Sequence, residues 1–222
     1  MTPQLSHLSS AGELVLDFRG VVCLPEHNVL LVSDLHLEKG SYHRAKTRAP
    51  IPVYDTVDTI ARLRSLIEEY APAEVYALGD SFHDTEAGER MTKEVRNDLN
   101  EITHMVERFT WILGNHDPDI PKGLIGEQAF TVSLGGFLLS HEPMSMDGQF
   151  NVYGHFHPKV ELKTRAGKQR LPCFITDKRR MIMPSFGTFT GGLSIEDDAI
   201  TAQFTGQTTI YAMARRGLLR VS

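Results

Sequence analysis

The sequence has only two cysteines, Cys23 and Cys173, among its 222 residues. Two thiols cannot build a disulfide framework, and neither stands at the spacing of a zinc-binding cysteine pair. No apolar run approaches the roughly 18 residues that a bilayer-spanning helix needs. The N-terminal residues lack both the basic start and the apolar stretch of a signal peptide. We therefore expect a reduced, cytoplasmic protein with no membrane partner.

Low-complexity stretches, internal repeats and linkers are also missing from the sequence. Hydrophobic residues make up 41% of the chain and charged residues 23%, as in an ordinary soluble globular protein rather than a disordered one. The length suits one large domain. We expect a single domain over residues 1–222.

Charge is distributed unevenly along a chain whose net charge is −5. Residues 159–180 carry eight lysines and arginines against two acidic residues, and residues 39–48 form a smaller basic segment. Such asymmetry indicates a polyanionic partner at one face of the protein. The alternative is a solvated, strand-rich surface, and the charge pattern alone leaves both interpretations open.

Periodicity divides the chain into two halves. Apolar runs of buried-strand type occur at 29–33, 75–78 and 110–113, and helical patterns over Thr56–Tyr70 and Arg90–Arg108 separate them. This alternation predicts parallel βαβ units. The second half reads mostly as short strands, so the sequence as a whole predicts a mixed α/β sandwich.

Histidine and acidic residues, with one asparagine, follow apolar strands in five places: Asp34 and His36; Asp80, His83 and Asp84; Asn115, His116 and Asp117; His141; His155 and His157. Side chains at i and i+2 of an extended segment point the same way, which would aim each of the DxH and HxH pairs at one point. A glycine before Asp80, Asn115 and His155 permits a sharp turn. Because sites gather at the carboxyl ends of parallel strands, we expect these loops to meet there.

The ligand types are carboxylate, imidazole and amide, without a thiol. This set suits Mn, Fe, Zn or Ni and argues against a structural cysteine-type zinc site. The candidates outnumber the ligands that one ion needs, and a carboxylate can bridge two ions in a dinuclear phosphoryl-transfer site. GNHD and GHFHP after apolar strands are specific signals, whereas DxH or GD alone is weak.

The ordered set DxH, GD, GNHD, H and GHxH over residues 34–157 resembles the signature of the calcineurin-like metallophosphoesterase superfamily. Within it, the segments DLHLEKG, GDSFHD, SHEP, GHFHP and PSFGTFTGG resemble the ligase-associated DNA damage response endonucleases, the PdeM group. The resemblance implies a four-layer αββα sandwich with mixed sheets. It also implies two divalent ions, with manganese the usual metal and Fe, Zn or Ni as alternatives.

The resemblance also implies roles for individual residues. One ion would be held by Asp34, His36 and His157, the other by Asn115, His141 and His155, with Asp80 as the bridging carboxylate. His116 would assist the leaving oxygen, and Asp117 would hold the His116 ring by a hydrogen bond. Weaker candidates for substrate binding are Lys39, Arg44, His83 and Lys159, for which a surface or turn role is the plain alternative.

The function implied is a dinuclear phosphodiesterase, in which hydroxide held by the metals attacks phosphorus, and specifically a DNA endonuclease in repair. One alternative is a phosphodiesterase or phosphomonoesterase of small molecules such as nucleotides. A non-catalytic scaffold is the other, although no ligand of the signature is missing. A ligase, a helicase and another nuclease are the implied repair partners, and a homodimer is a further expectation.

Overall fold

The computed structural model describes residues 2–47, 54–164 and 167–221. Arg48 and Arg165, which belong to the two basic segments, lie outside the described residues. Within the described ranges, no helix is long and apolar enough to cross a membrane.

A seven-stranded sheet is built in chain order from β1 (Gln4–Ser9), β2 (Gly12–Asp17), β3 (Val21–Leu24), β4 (Val29–Val32), β5 (Glu74–Leu78), β6 (Arg108–Ile112) and β7 (Glu127–Ala129). A 3-10 turn at Pro25–His27 joins β3 to β4. Strands β1 to β4 run antiparallel, and β4 to β7 run parallel. The parallel half confirms the βαβ prediction, with α1 (Lys39–Thr47), α2 (Asp55–Tyr70), α3 (Ala87–Arg90) and α4 (Lys93–His104) in its crossovers.

The second sheet contains β8 (Thr131–Leu134), β9 (Phe137–Ser140), β10 (Phe150–Tyr153), β12 (Gly167–Thr176), β13 (Arg180–Ile182), β14 (Thr209–Ala214) and β15 (Gly217–Arg220). Its order is β15-β14-β12-β13-β10-β9-β8, and β11 (Lys159–Thr164) pairs with β12 outside this path. Strands β9, β10 and β13 are mutually parallel, whereas the other pairs are antiparallel. The sheet is therefore mixed, as predicted.

Among the described residues, three apolar cores arrange these elements into layers. The central core lies between the two sheets and includes Leu31 of β4 and Val152 of β10. A second core packs α2 and α4 against the outer face of the first sheet. It includes Val32, which follows Leu31 in β4 and points to the opposite face of the sheet. The third covers the outer face of the second sheet with the single turn α5 (Asp198–Thr201). The result is the four-layer αββα arrangement, with a thin outermost layer.

The predicted helix over Arg90–Arg108 is wrong at both ends. The structure ends α3 at Arg90 and begins α4 at Lys93, after Thr92, whose hydroxyl accepts the Val95 N–H at 3.3 Å as an N-cap. Extended backbone at Met91 separates the two helices. Arg108 starts strand β6. The apolar spacing continues across this break because Met91 packs in the same core as α4.

Candidate metal centre

Every predicted metal ligand lies just beyond the carboxyl end of a parallel strand. Asp34 and Asp80 follow β4 and β5, and Asn115 follows β6. From the second sheet, His141 follows β9 and His155 follows β10. The predicted meeting of the loops at this edge is confirmed, and it takes place between the two sheets.

The backbone that carries these side chains is not extended, so the expectation of strand-like DxH and HxH pairs is wrong. Positive φ angles, near the left-handed region, occur at five of the ligands: Asp34 (53°), His36 (44°), Asp80 (47°), His155 (69°) and His157 (47°). A non-glycine residue in this region carries strain of about 1–3 kcal/mol and persists only when its surroundings fix it. Here the Asp34 and His36 N–H groups donate to the Gly79 and Asp80 carbonyls at 3.2 and 2.9 Å.

The three glycines that precede ligands serve two different purposes. Gly79 has the positive φ of 76° that a sharp turn requires. Gly114 and Gly154 are instead needed for close approach. A Cβ at Gly114 would collide with the Asp80 carboxylate, and one at Gly154 would collide with the Ser33 hydroxyl and the Asp34 carboxylate. The turn interpretation of the sequence therefore holds at Gly79 alone.

The first cluster consists of Asp34, His36 and His157, whose ligand atoms lie within 4.8 Å of one another. The two imidazoles face each other with their Nε2 atoms 3.2 Å apart. His157 Nε2 lies 3.1 Å from Asp34 Oδ1. The structure thus brings together the three residues that the resemblance assigns to one ion.

The second cluster consists of Asn115, His141 and His155. His141 Nε2 lies 3.0 Å from Asn115 Oδ1 and 3.2 Å from His155 Nδ1. The other ring nitrogen of His141 contacts the Leu78 carbonyl at 3.1 Å, which leaves Nε2 directed at the cluster. His141 also forms a tight group with Asp34 and Asp80, so the two clusters adjoin.

Asp80 lies between the clusters and presents one oxygen to each. Its Oδ1 is 3.3 Å from His141 Nε2, and its Oδ2 is 3.9 Å from His36 Nε2. The donor spacing fits a metal ion at each cluster, because two nitrogens bound to one ion at about 2.0–2.1 Å lie about 3.0–3.4 Å apart. In both clusters the imidazole nitrogens are 3.2 Å apart.

The charges of the buried side chains also favour cation binding at the two clusters. Burial lowers the pKa of His36 to about 3, which keeps its ring neutral and its lone pair available. Burial alone would raise the pKa of Asp34 and of Asp80, but His157 and His141 respectively hold these carboxyls below their usual range. Burial opposes a charge on His141, yet the two carboxylates raise its pKa to about 9. A bound cation replaces such a proton.

His116 stands beside the clusters with its side chain 43% exposed. Its Nδ1 lies 2.9 Å from the His83 carbonyl and donates to it, which directs Nε2 toward Asp80 Oδ2 at 3.9 Å. The His83 ring stacks on the His116 ring at a centroid distance of 5.7 Å. His83 therefore supports His116 through both its backbone and its ring.

Asp117 does not hold the His116 ring, and that prediction is wrong. The carboxylate is 1% exposed, and its two oxygens accept backbone N–H bonds at 2.6–3.1 Å from Asp80, Ser81, Phe82 and Gly114. Burial raises the pKa of Asp117 to about 6, and the backbone donors oppose that shift. The residue therefore fixes the loop that carries Asp80, since four peptide groups would otherwise lose their acceptor.

The weaker substrate candidates occupy different positions. Lys39 is half-buried at the start of α1, where burial lowers its pKa, and Arg44 is exposed on the same helix. Lys159 is half-buried after the HxH loop and donates to the Thr190 carbonyl at 3.2 Å. Burial and the charge of Lys39 lower the pKa of His83 to about 4.

Sequence reasoning missed several supporting residues. Ser33 Oγ donates to Asp34 Oδ2 at 2.5 Å, and the Ser185 hydroxyl donates to the Asp34 carbonyl at 2.9 Å. Arg90 forms a 2.7 Å ion pair with Asp84, beside the backbone that orients His116. The PSFG segment that contains Ser185 was a usable signal, whereas Arg90 reads simply as a helix residue.

Both the sequence and the fold of the chain are similar to those of known proteins. A sequence model described as calcineurin-like phosphoesterase matches residues 27–193. The crystal structure of the nuclease MPE from Pseudomonas putida is similar, with 25% identity, a TM-score of 0.76, and coverage of 98% of this chain and 100% of that chain. The phosphoesterase Yfce from E. coli has 17% identity and a TM-score of 0.45, over 87% of this chain and 97% of that one. No curated protein sequence matches the chain.

Proposed function

From the premise that the chain belongs to the calcineurin-like phosphoesterase family and is a metal-dependent phosphoesterase, we propose that it is a DNA phosphodiesterase of the cytoplasm that acts in repair. The single observation that carries the proposal is the placement of two ligand clusters on the two oxygens of one buried carboxylate, Asp80, with His116 beside them. The structural likeness to the P. putida nuclease over nearly the whole chain supports a nucleic acid substrate.

Two divalent ions, for which we propose manganese, would be held by Asp34, His36 and His157 and by Asn115, His141 and His155, with Asp80 shared. Such ions neutralise phosphate oxygens and lower the pKa of a bound water. The protein contributes rigidity, because the strained ligand backbone is held by hydrogen bonds between the β4 and β5 loops. Ligands fixed before the reaction need no rearrangement during it.

His116 supplies the proton that a phosphodiester leaving group needs. The alkoxide released from DNA is a strong base, so a proton donor near it accelerates the reaction by about 10²–10⁴-fold. Since Nδ1 is engaged by the His83 carbonyl, Nε2 is the atom from which this proton leaves. A p-nitrophenolate leaving group is a much weaker base and depends less on this help.

The test is cleavage of supercoiled plasmid and of linear single-stranded DNA by metal-stripped protein, with Mn, Mg, Zn or no metal restored. We expect nicking that requires a metal and that Asp80→Asn abolishes. His116→Ala should lose about 10²–10⁴-fold on DNA and far less on a p-nitrophenyl diester. His104→Ala is the matched control, because His104 is exposed at the end of α4 and remote from the clusters in the fold.

Cleavage of the small diester without cleavage of DNA would contradict the nuclease part of the proposal and favour small nucleotides. Equal losses by His116→Ala on both leaving groups would contradict the role of that histidine. A polyanionic substrate also predicts that binding weakens steeply as salt rises. A ligase, a helicase and a second nuclease are the partners that we propose for the repair setting, with a homodimer as the assembly.

A further inference from the structure

An apolar slot opens directly beside the second ligand cluster. It has a volume of about 320 Å³, and Asn115 and His141 form part of its wall. The rest of the wall includes Leu113, Phe130 and Met144. Ligand sites in proteins measure about 300–1,000 Å³, so this slot suits one small group rather than a bulky one.

Two of these apolar side chains face water. Phe130, between β7 and β8, is 77% exposed, and Met144, in the loop after β9, is 45% exposed. Neither is a buried member of the three cores among the described residues. An aromatic ring left in solvent at the edge of a reaction centre has apolar surface available for a ligand.

We propose that the slot binds a nucleobase of the nucleotide adjacent to the scissile phosphodiester, stacked on the Phe130 ring with Met144 alongside. This inference rests on the proposed function, because the phosphate at the ligand clusters tethers the base. Asn115 and His141 belong both to the second cluster and to the slot wall, so a group attached to a phosphate at that cluster lies directly beside the slot.

The chemistry of the slot favours a base over an aliphatic group. Aromatic side chains bind bases through their π faces with little dependence on base identity. The wall also includes polar residues, Thr131 and Glu142, which suit the polar edges of a base. The Ser140 hydroxyl is already engaged, because it donates to the Glu142 carbonyl at 2.7 Å.

The experiment compares two diesters that share a p-nitrophenolate leaving group. One is the p-nitrophenyl ester of thymidine 5′-monophosphate, and the other is methyl p-nitrophenyl phosphate, which has no base. We expect wild-type kcat/KM to favour the nucleoside diester by about 5- to 140-fold, the range that one stacked base contributes. Phe130→Ala should bring that ratio near one while leaving the methyl diester unchanged, and Phe130→Trp should restore it.

Leu8→Ala is the control, since Leu8 is an exposed apolar residue on β1, outside the slot. The unchanged rate on the methyl diester shows that Phe130→Ala remains folded and loaded with metal. A Phe130→Ala ratio equal to that of the wild type would overturn the proposal. The proposal would also be overturned if Phe130→Ala changed the sedimentation of the protein but not the ratio of the two kcat/KM values, because the slot would then be a contact between copies of the chain.

The failure of the proposed function gives a different result. If the wild type hydrolyses neither diester, the phosphodiesterase proposal fails, and a binding measurement then tests whether the slot holds a base. In that arm, metal-loaded wild-type protein, which keeps every ligand that would hold the phosphate, is titrated with labelled oligothymidylate in competition with an abasic oligonucleotide of equal length. Preference for the base-bearing strand that Phe130→Ala removes supports the slot, and equal competition by both strands overturns it.

Discussion

Replacing Asp117 by asparagine separates its structural role from a role on His116. The two carboxylate oxygens divide four backbone donors into two pairs: Oδ1 accepts from Asp80 and Gly114, and Oδ2 accepts from Ser81 and Phe82. An asparagine can present its oxygen to only one pair. The other two N–H groups then face an NH₂ donor inside a buried loop.

The magnitude follows from the two lost bonds. Hydrogen bonds to a charged acceptor are worth about 1.5–3 kcal/mol each, so Asp117→Asn should cost about 3–6 kcal/mol. That is a large share of a typical stability of about 5–15 kcal/mol. At about 2–4 °C per kcal/mol for a chain of this size, the Tm should fall by about 6–24 °C. His116→Ala, at a ring that is 43% exposed, should change the free energy of unfolding by only about 0.5 kcal/mol.

Thermal and urea unfolding of wild type, Asp117→Asn, His116→Ala and the double variant are the assays. We expect Asp117→Asn to destabilise the protein equally with or without His116. The reasoning would be refuted by an Asp117→Asn variant that has the same Tm as the wild type and that lowers activity only when His116 is present. It would instead support an action of Asp117 through the His116 ring.

Three further predictions concern charge, packing and metal. Burial opposes the charge of Asp17, but hydrogen bonds from Arg19 hold the pKa of this carboxyl below 3.8. The ionised carboxylate should therefore stabilise the folded protein fully above pH 3.8, and this contribution should be lost as the pH falls through the lowered pKa. Urea unfolding should show a cost of about 1–3 kcal/mol for Asp17→Asn at pH 7 that shrinks toward pH 3. Gly154→Ala pushes a Cβ into the Asp34 carboxylate, so metal content measured by atomic spectroscopy should drop below two ions per chain. Metal at 100 times its Kd should raise the Tm by about 5–11 °C in wild type, and by less in Asp80→Asn.

The parts of the fold that the sequence predicts are those with a strong local pattern. Strands β4, β5 and β6 read as continuous apolar runs because they are buried on both faces. The sequence does not predict helix α1, because residues 39–47 have no apolar stripe. The helix is held by a contact with α2, in which the Gly40 N–H donates to the buried Asp55 carboxylate at 2.8 Å.

The candidate site also has one part that the sequence predicts and one part that it does not. The identities of the ligands follow from ordered motifs, but their backbone geometry does not. The left-handed conformation of Asp34 and His36 depends on bonds to residues 79 and 80, and the role of Asp117 depends on residues 80–82. Such contacts join positions more than 30 apart in sequence, which no local pattern encodes.

Both ligand clusters draw on both sheets. Asp34 and His36 come from the first sheet and His157 from the second, while Asn115 comes from the first and His141 from the second. An ion at either cluster would therefore cross-link the two sheets, because its ligands come from both of them. A chain whose sheets have docked out of register cannot assemble either set of donors. We therefore expect metal content to report how faithfully the two sheets have docked, because a misdocked chain would lack both sets of ligands and, with them, activity.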